Sequence, residues 1–449
     1  MSMTRPLIVA LAAALAPAAL AQDLFQLSLT PTGAGGPAPI TVGGSKLFSL
    51  TEGMLDQSGN FSSYGGVAFS ASLRYAGVDN AMGFTVNAAG DSATLQFTAL
   101  GSGATVFTFT GADLEDQITD FLGRGAAGEL EKFMREMSKR SLVFIVDGNP
   151  SAATARASRY RYNQFGLMDD LRPRYTPVIR EGEVIPGREI DHAPMDPGAG
   201  GGDIVHRFRR QPDRVRVTDL VDSGLSSIRV DVAAGVISTD VGDGNEIYVA
   251  VTNTFRFGDR VALVIGVPVT FHKIQSAEVY NAQAHVNVPI TLIRRTKMDG
   301  WTWKFTPGLM LAGTGSIDFV AGGLLWGAGF TNVVGYNYGA WSFSYIAQFD
   351  FYDSIKLEYD QYEWDPGLTQ QILTNGVRAA YQIDDLWAVY GGLAYVDFLD
   401  VAAVDNFISP AVGLWYRTEH GFVFNFGYEG DIGDGYEDHR GTIGLQWSF

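Results

Sequence analysis

The 449-residue sequence has no cysteine, which excludes disulfide frameworks, thiolate metal sites, iron–sulfur clusters and cysteine nucleophiles together. It has little charge, 18% of residues, and a net charge of −17, so nucleic acid is not expected as a partner. Tryptophan is missing before residue 301 although eight follow, and lysine is missing from 156 to 216, where twelve arginines stand. Beyond the first 21 residues no apolar run is long and unbroken enough to cross a membrane as a helix. The mature chain is therefore either soluble or a barrel.

What is present begins with an export signal. Residues 1–21 carry Arg5, an apolar stretch from Leu7 to Leu20 and Ala19-Leu20-Ala21 before Gln22, the three parts of a secretory signal peptide. Residues 22–155 open with period-two segments such as Val67, Phe69, Ala71, Leu73 and Tyr75. The period then switches to helical, at Leu114, Ile118, Phe121 and Leu122 and again at Leu130, Phe133, Met134 and Met137. A small α+β domain is expected, its helices covering a sheet and its last strand at Leu142–Val146. Residues 156–224 are rich in Arg, Pro and Gly and read as an irregular linker.

Residues 225–449 have the pattern of a transmembrane antiparallel β-barrel of about twelve strands, making the chain mainly β. Tyr280, Ala282, Ala284, Val286 and Val288 alternate with Asn281, Gln283, His285 and Asn287, and the last strand sets Ile443, Leu445, Trp447 and Phe449 against Gly444, Gln446 and Ser448. One greasy and one wet face per strand suit lipid outside and water within. Tight junctions at Gly258-Asp259, Asn337-Tyr338-Gly339, Asp384-Asp385 and Glu419-His420-Gly421 alternate with junctions expected to be mostly longer, acidic outer loops: 240–246, 353–369, 400–406 and 431–438. Trp301, Trp303, Trp341 and Trp387 mark one aromatic belt, and Phe271, Tyr280, Tyr352, Phe398, Phe407 and Tyr428 the other.

The ending Gly441–Phe449 resembles the closing strand of bacterial outer-membrane barrels, and the resemblance implies that Trp447 and Phe449 serve as the signal for the barrel-assembly machinery. Residues Phe255–Phe271 resemble an early hairpin of the meta-pathway phenol-degradation family of outer-membrane transporters. The resemblance implies an outer-membrane location among lipids and passage of small solutes. A twelve-stranded C-terminal barrel is shared with autotransporter translocators, but no long repetitive passenger precedes this one.

Strand parity assigns eleven lumen-lining candidates: Arg229, Asp231, Arg256, His285, Lys304, Gln348, Asp350, Arg378, Arg417, Asn425 and Glu429. Mixed charges in a confined space either filter solutes or pair into a network that fills the bore. No enzyme is expected: the six histidines show no metal-ligand spacing, no Gly-x-Ser-x-Gly occurs, and no motif surrounds His272, Ser276 or His285. Asp240-x-x-Asp243-x-Asn245-Glu246 misses a calcium-loop register and reads as a solvated loop, so neither metal nor cofactor is expected. The expected function is a passive channel or transporter with a periplasmic N-terminal domain. The alternative is an outer-membrane anchor or autotransporter-like barrel displaying that domain as an adhesin or interaction module. Arg207, Arg209, Arg210, Arg214 and Arg216 belong either to a solvated tether or to a segment plugging the lumen.

Overall fold

The computed structural model describes, with short interruptions, residues 23–167 and 226–448. The residues expected to form a signal peptide, the strand expected at 142–146, the arginines from 207 to 216 and Phe449 lie outside the described residues.

The N-terminal unit is a six-stranded antiparallel sheet built from β1 (Phe25–Pro31), β2 (Ile40–Gly44), β3 (Phe69–Tyr75), β4 (Val78–Val86), β5 (Ser92–Gln96) and β6 (Val106–Thr110), in the order β2-β1-β3-β4-β5-β6. One face is apolar because every second residue is: Leu29, Ala71, Phe84, Leu95 and Phe107 lie directly opposite one another across five strands. Helix α1 (Ala127–Arg140) brings Phe133 and Met137 into this core. The Phe133 ring meets Tyr75 edge-on at 5.5 Å and Phe97 at 5.3 Å. The helix over a sheet expected from the change of period is found here.

After α1 the chain forms α2 (Pro150–Arg161), with Pro150 in the first turn where its missing N–H costs nothing. A single wider turn follows, Tyr162–Leu167, with π-type hydrogen bonding. The boundary expected at residue 155 falls inside α2.

The strands of the C-terminal unit are β7 (Ser227–Thr239), β8 (Gly242–Arg256), β9 (Ala262–Ile274), β10 (Ala277–Asn287), β11 (Ile290–Ile293), β12 (Gly300–Ser316), β13 (Ala321–Tyr338) and β14 (Trp341–Ile355). They continue with the hairpin β15 (Leu357–Tyr359) and β16 (Tyr362–Trp364), then β17 (Thr369–Gln382), β18 (Trp387–Phe398), β19 (Asn406–Arg417), β20 (Phe422–Gly433) and β21 (Tyr436–Ser448). Pro289 interrupts one stave between β10 and β11, both of which pair with β12, so the barrel has twelve staves, as expected. It closes through β21 on β7, leaving no unpaired strand edge to face lipid.

The outer surface inverts that of a soluble protein. Val230, Val249, Val267, Leu309, Phe343, Val412 and Ile443 are exposed, while Asn281, Gln283, Gln348 and Asn425 are buried. Exposed aromatics pair near the end where Ser227 and Ser448 lie: Trp301 with Tyr336 at 5.1 Å, Trp341 with Tyr381 at 4.8 Å. Phe271 and Tyr280 pair at the opposite end, here called the far mouth. Tyr352, Phe398 and Phe407, expected on the far belt, point inward and are buried.

Two of the acidic loops are not loops. Thr239 pairs with Gly242 and Gly433 with Tyr436, so residues 242–246 and 436–438 extend the strands. Glu246, Asp431 and Asp438 are thereby carried inside the barrel, while Asp243 and Glu437 stay exposed.

Candidate functional site

The barrel interior is occupied by α2 and the turn after it. Its direction is read along β17: the Thr154 hydroxyl donates to Gln370 Oε1 at 2.7 Å near the far mouth, and Arg378 Nη1 donates to the Gly166 and Leu167 carbonyls at 2.8 and 3.2 Å toward the other end. Eighteen residues of helix and wider turn cover roughly 25 Å at 1.5 Å or a little less per residue, comparable to a barrel's apolar band of about 25 Å. The helix thus runs from the far mouth toward the end where β7 begins.

A helix polar on most sides does not usually stay buried, because its polar groups lose water. Here the wall replaces that water. Gln348 Nε2 donates to the Ser158 carbonyl at 2.8 Å, Gln283 Nε2 to the Ala153 carbonyl at 3.1 Å, and Asn163 Nδ2 to Glu429 Oε2 at 2.8 Å. Tyr160 shares a 3.0 Å hydrogen bond with Thr252 and packs against the His285 ring at 4.5 Å.

Near the far mouth the contacts are ionic. Arg156 Nη1 lies 2.8 Å from Glu246 and 3.3 Å from Asp438; Arg159 reaches Asp431 and, at 3.1 Å, Asp438. Arg440, from the wall, closes the cluster at 3.1 Å from Glu246 and 2.9 Å from Asp438. Lower down, Arg161 Nε is 3.3 Å from Asp350 and its Nη2 donates to the Thr306 carbonyl at 3.1 Å. These four guanidinium groups face four carboxylates, Glu246, Asp350, Asp431 and Asp438, all at least nine-tenths buried on the wall. Of these four guanidinium groups, three are carried by the helix, and Arg440 alone belongs to the wall.

Shape matches as well as charge. Gly266 and Gly376 lie where a Cβ would overlap the Tyr160 and Tyr162 hydroxyls, and a Cβ on Gly392 would come within 2.6 Å of Leu167. The helix leaves a small cavity of about 40 Å³ beside Arg229, Asp231, Tyr248 and Thr270. A second, of about 20 Å³, lies against Ile372, Val396 and Phe407.

No protein-family model matches the sequence, and no curated protein matches it. Solved structures similar in fold include the translocator domain of the autotransporter NalP from Neisseria meningitidis, 14% identical, with 51% of this chain and 89% of that chain covered and a TM-score of 0.38. The β domain of the Bordetella autotransporter BrkA is 12% identical over 50% of this chain and 99% of that chain, TM-score 0.38. An outer-membrane channel from Pseudomonas putida F1 is 9% identical over 50% of this chain and 96% of that chain, TM-score 0.37.

Of the eleven residues assigned by parity, His285, Gln348, Asp350, Arg378 and Glu429 touch the helix segment. Arg229 and Asp231 pair with each other at 2.7 Å beside the larger cavity, and Arg229 lies over the Trp415 ring at 5.4 Å. Asn425 meets the Tyr390 hydroxyl at 3.5 Å, and Arg256, Lys304 and Arg417 are half-buried toward the end opposite the far mouth. Sequence reasoning missed the helix and Glu246, Asp431, Asp438 and Arg440. The helix had one visible sign: from Ser151 to Phe165, across the boundary expected at 155, the chain contains neither Pro nor Gly. Glu246 was read as a solvated loop residue, yet it is 1% exposed because two-residue turns continue its strand.

Proposed function

We propose that this protein is an outer-membrane barrel that holds its own N-terminal domain on the outer side of the membrane, with α2 as the connection through the lumen. The observation that carries this reading is the direction of α2. The chain leaves the N-terminal sheet, enters the lumen at the far mouth and points toward the end where β7 starts. The hydrophobic cluster of that sheet continues into Leu368, Ala402, Val404, Phe407 and Tyr436 of the far mouth. The expectations of periplasmic chain ends and a periplasmic N-terminal domain cannot both hold, because the two lie at opposite ends of the barrel. Assembly from the periplasm, with the closing strand's aromatic end left there, favours keeping the first and gives a surface-held domain.

The absence of cysteine makes the test direct. Asp91→Cys, in an exposed turn, should react with a membrane-impermeant maleimide on intact cells. Labelling that requires permeabilised outer membranes would overturn the reading.

A second reading, passage of small solutes, is favoured by the cavity beside Arg229 and Asp231. It predicts solute flux through the full chain in liposomes, increased by Arg159→Ala. Sealed liposomes with both proteins would remove it.

A further inference from the structure

The contacts that hold α2 change in kind along its length. Toward the end where β7 begins they are carried mostly by carbonyls, amides and close packing. Gln348 donates to the Ser158 carbonyl, Arg378 to those of Gly166 and Leu167, and Tyr162 and Leu167 seat on Gly376 and Gly392. Arg161, although paired with Asp350, also keeps the Thr306 carbonyl. At the far mouth the ion pairs of the helix all run through carboxylates, Glu246 and Asp438 for Arg156, Asp431 and Asp438 for Arg159. Arg440 of the wall leans on the same Glu246 and Asp438. These carboxylates therefore stand between like charges and hold the cationic helix to a cationic wall residue.

We propose that acid at the far mouth unlatches the first half of α2 from the wall and opens the lumen, with the second half of the helix staying seated as a hinge. The proposal rests on the reading of α2 as the connection through the lumen, and not on which side of the membrane the far mouth faces. The other groups around the cluster are Glu429, on the same face of β20 as Asp431 and bonded to Asn163, and His272, 3.4 Å from Glu246. Tyr436 lies 3.3 Å from Asp438, and from β7 only the mutually paired Arg229 and Asp231 come near. With His272 neutral, the four carboxylates Glu246, Glu429, Asp431 and Asp438 face the three guanidinium groups of Arg156, Arg159 and Arg440. Acid discharges carboxylates and charges histidine but leaves guanidinium as it is. The cluster then holds cations alone, which repel strongly where water is scarce. The ionic hold is thus complete while the carboxylates are ionised and is lost as pH falls through their titration. Protons have a route, because the cavity of about 40 Å³ touches Arg156, Arg159, Glu246 and Arg440 and has room for roughly three water molecules.

The test uses purified full-length protein in planar bilayers. Conductance should be low at neutral pH, rise at least tenfold when the chambers are acidified to about pH 4, the ordinary carboxylate range, and fall again on return to neutral. A heat-shifted gel band retained in acid separates unlatching from unfolding of the barrel. Glu246→Gln, Asp431→Asn and Asp438→Asn together should give the acid conductance already at neutral pH. The chain has no cysteine, so Thr154→Cys and Gln370→Cys, at positions whose native side chains are hydrogen-bonded at 2.7 Å, can be joined by a short bifunctional thiosulfonate. That link should abolish the acid response until a reductant cleaves it. It leaves every charge in place, and so decides the matter even where the triple variant does not assemble. A parent whose conductance ignores pH, or a linked protein that opens in acid as the parent does, would overturn the proposal. No link forming at neutral pH would instead overturn the placement of α2 in the lumen.

Discussion

Glu246 shows what one buried charge does in this lumen. It faces Arg156, Arg440 and, at 3.4 Å, the His272 ring. Removing one partner of a buried cluster leaves uncompensated charge and costs about 3–5 kcal/mol, whereas an apolar replacement of the pair is often neutral. Glu246→Ala should therefore lower the temperature at which the folded gel band is lost, and Arg156→Met with Glu246→Leu should recover most of that loss. Equal loss in single and double variants would show that the pair is not coupled. Gly376 tests fit rather than charge. Gly376→Val places a side chain where the Tyr162 hydroxyl sits, so ion conductance should rise in planar bilayers, and Tyr162→Ala should restore the seal in that background.

At the scale of elements, α2 and the barrel are held by separate interactions. The staves form a complete ladder among themselves, and α2 meets them through side chains and its own carbonyls. Ala157→Pro removes a helical hydrogen bond and clashes with the preceding turn, costing about 3 kcal/mol or more. The barrel should still assemble and show a heat-shifted band, while conductance rises toward that of an empty twelve-stave barrel. A variant that fails to assemble at all would mean that the helix is needed to form the barrel and not only to fill it.

For the whole molecule, closure is the central demand, since β7 and β21 must meet although nearly the whole barrel, residues 240–435, lies between them. β21, the last of the described strands, makes that closure. Deleting Phe449 should reduce the heat-modifiable form in outer-membrane fractions, whereas a soluble sheet protein would tolerate the loss. Normal amounts of assembled protein after that deletion would remove Phe449 from the assembly signal. The acidic balance belongs to this scale too: the barrel region from 225 onward is net −13, and part of that charge is neutralised by arginines lying earlier in the chain.

The sequence by itself determined the barrel, because alternation along a strand is local: Ile443, Leu445 and Trp447 face outward for the same reason that Gly444 and Gln446 face inward. It determined the polar inner face for that same reason, so Gln348, Asp350 and Arg378 could be placed by parity alone. It left the contents of the lumen open, since Arg156 meets Glu246 and Asp438 across 90 and 282 residues of chain and no local period records such a meeting. Turn lengths were misjudged where acidic residues resembled solvent-exposed loops, because Asp431 and Asp438 look the same in sequence whether water or Arg440 faces them. Only the tertiary structure decided that the Arg-rich segment begins as a buried helix. A helix polar on most sides has no hydrophobic stripe to announce its burial, and its stability comes from a wall that the rest of the chain must first build.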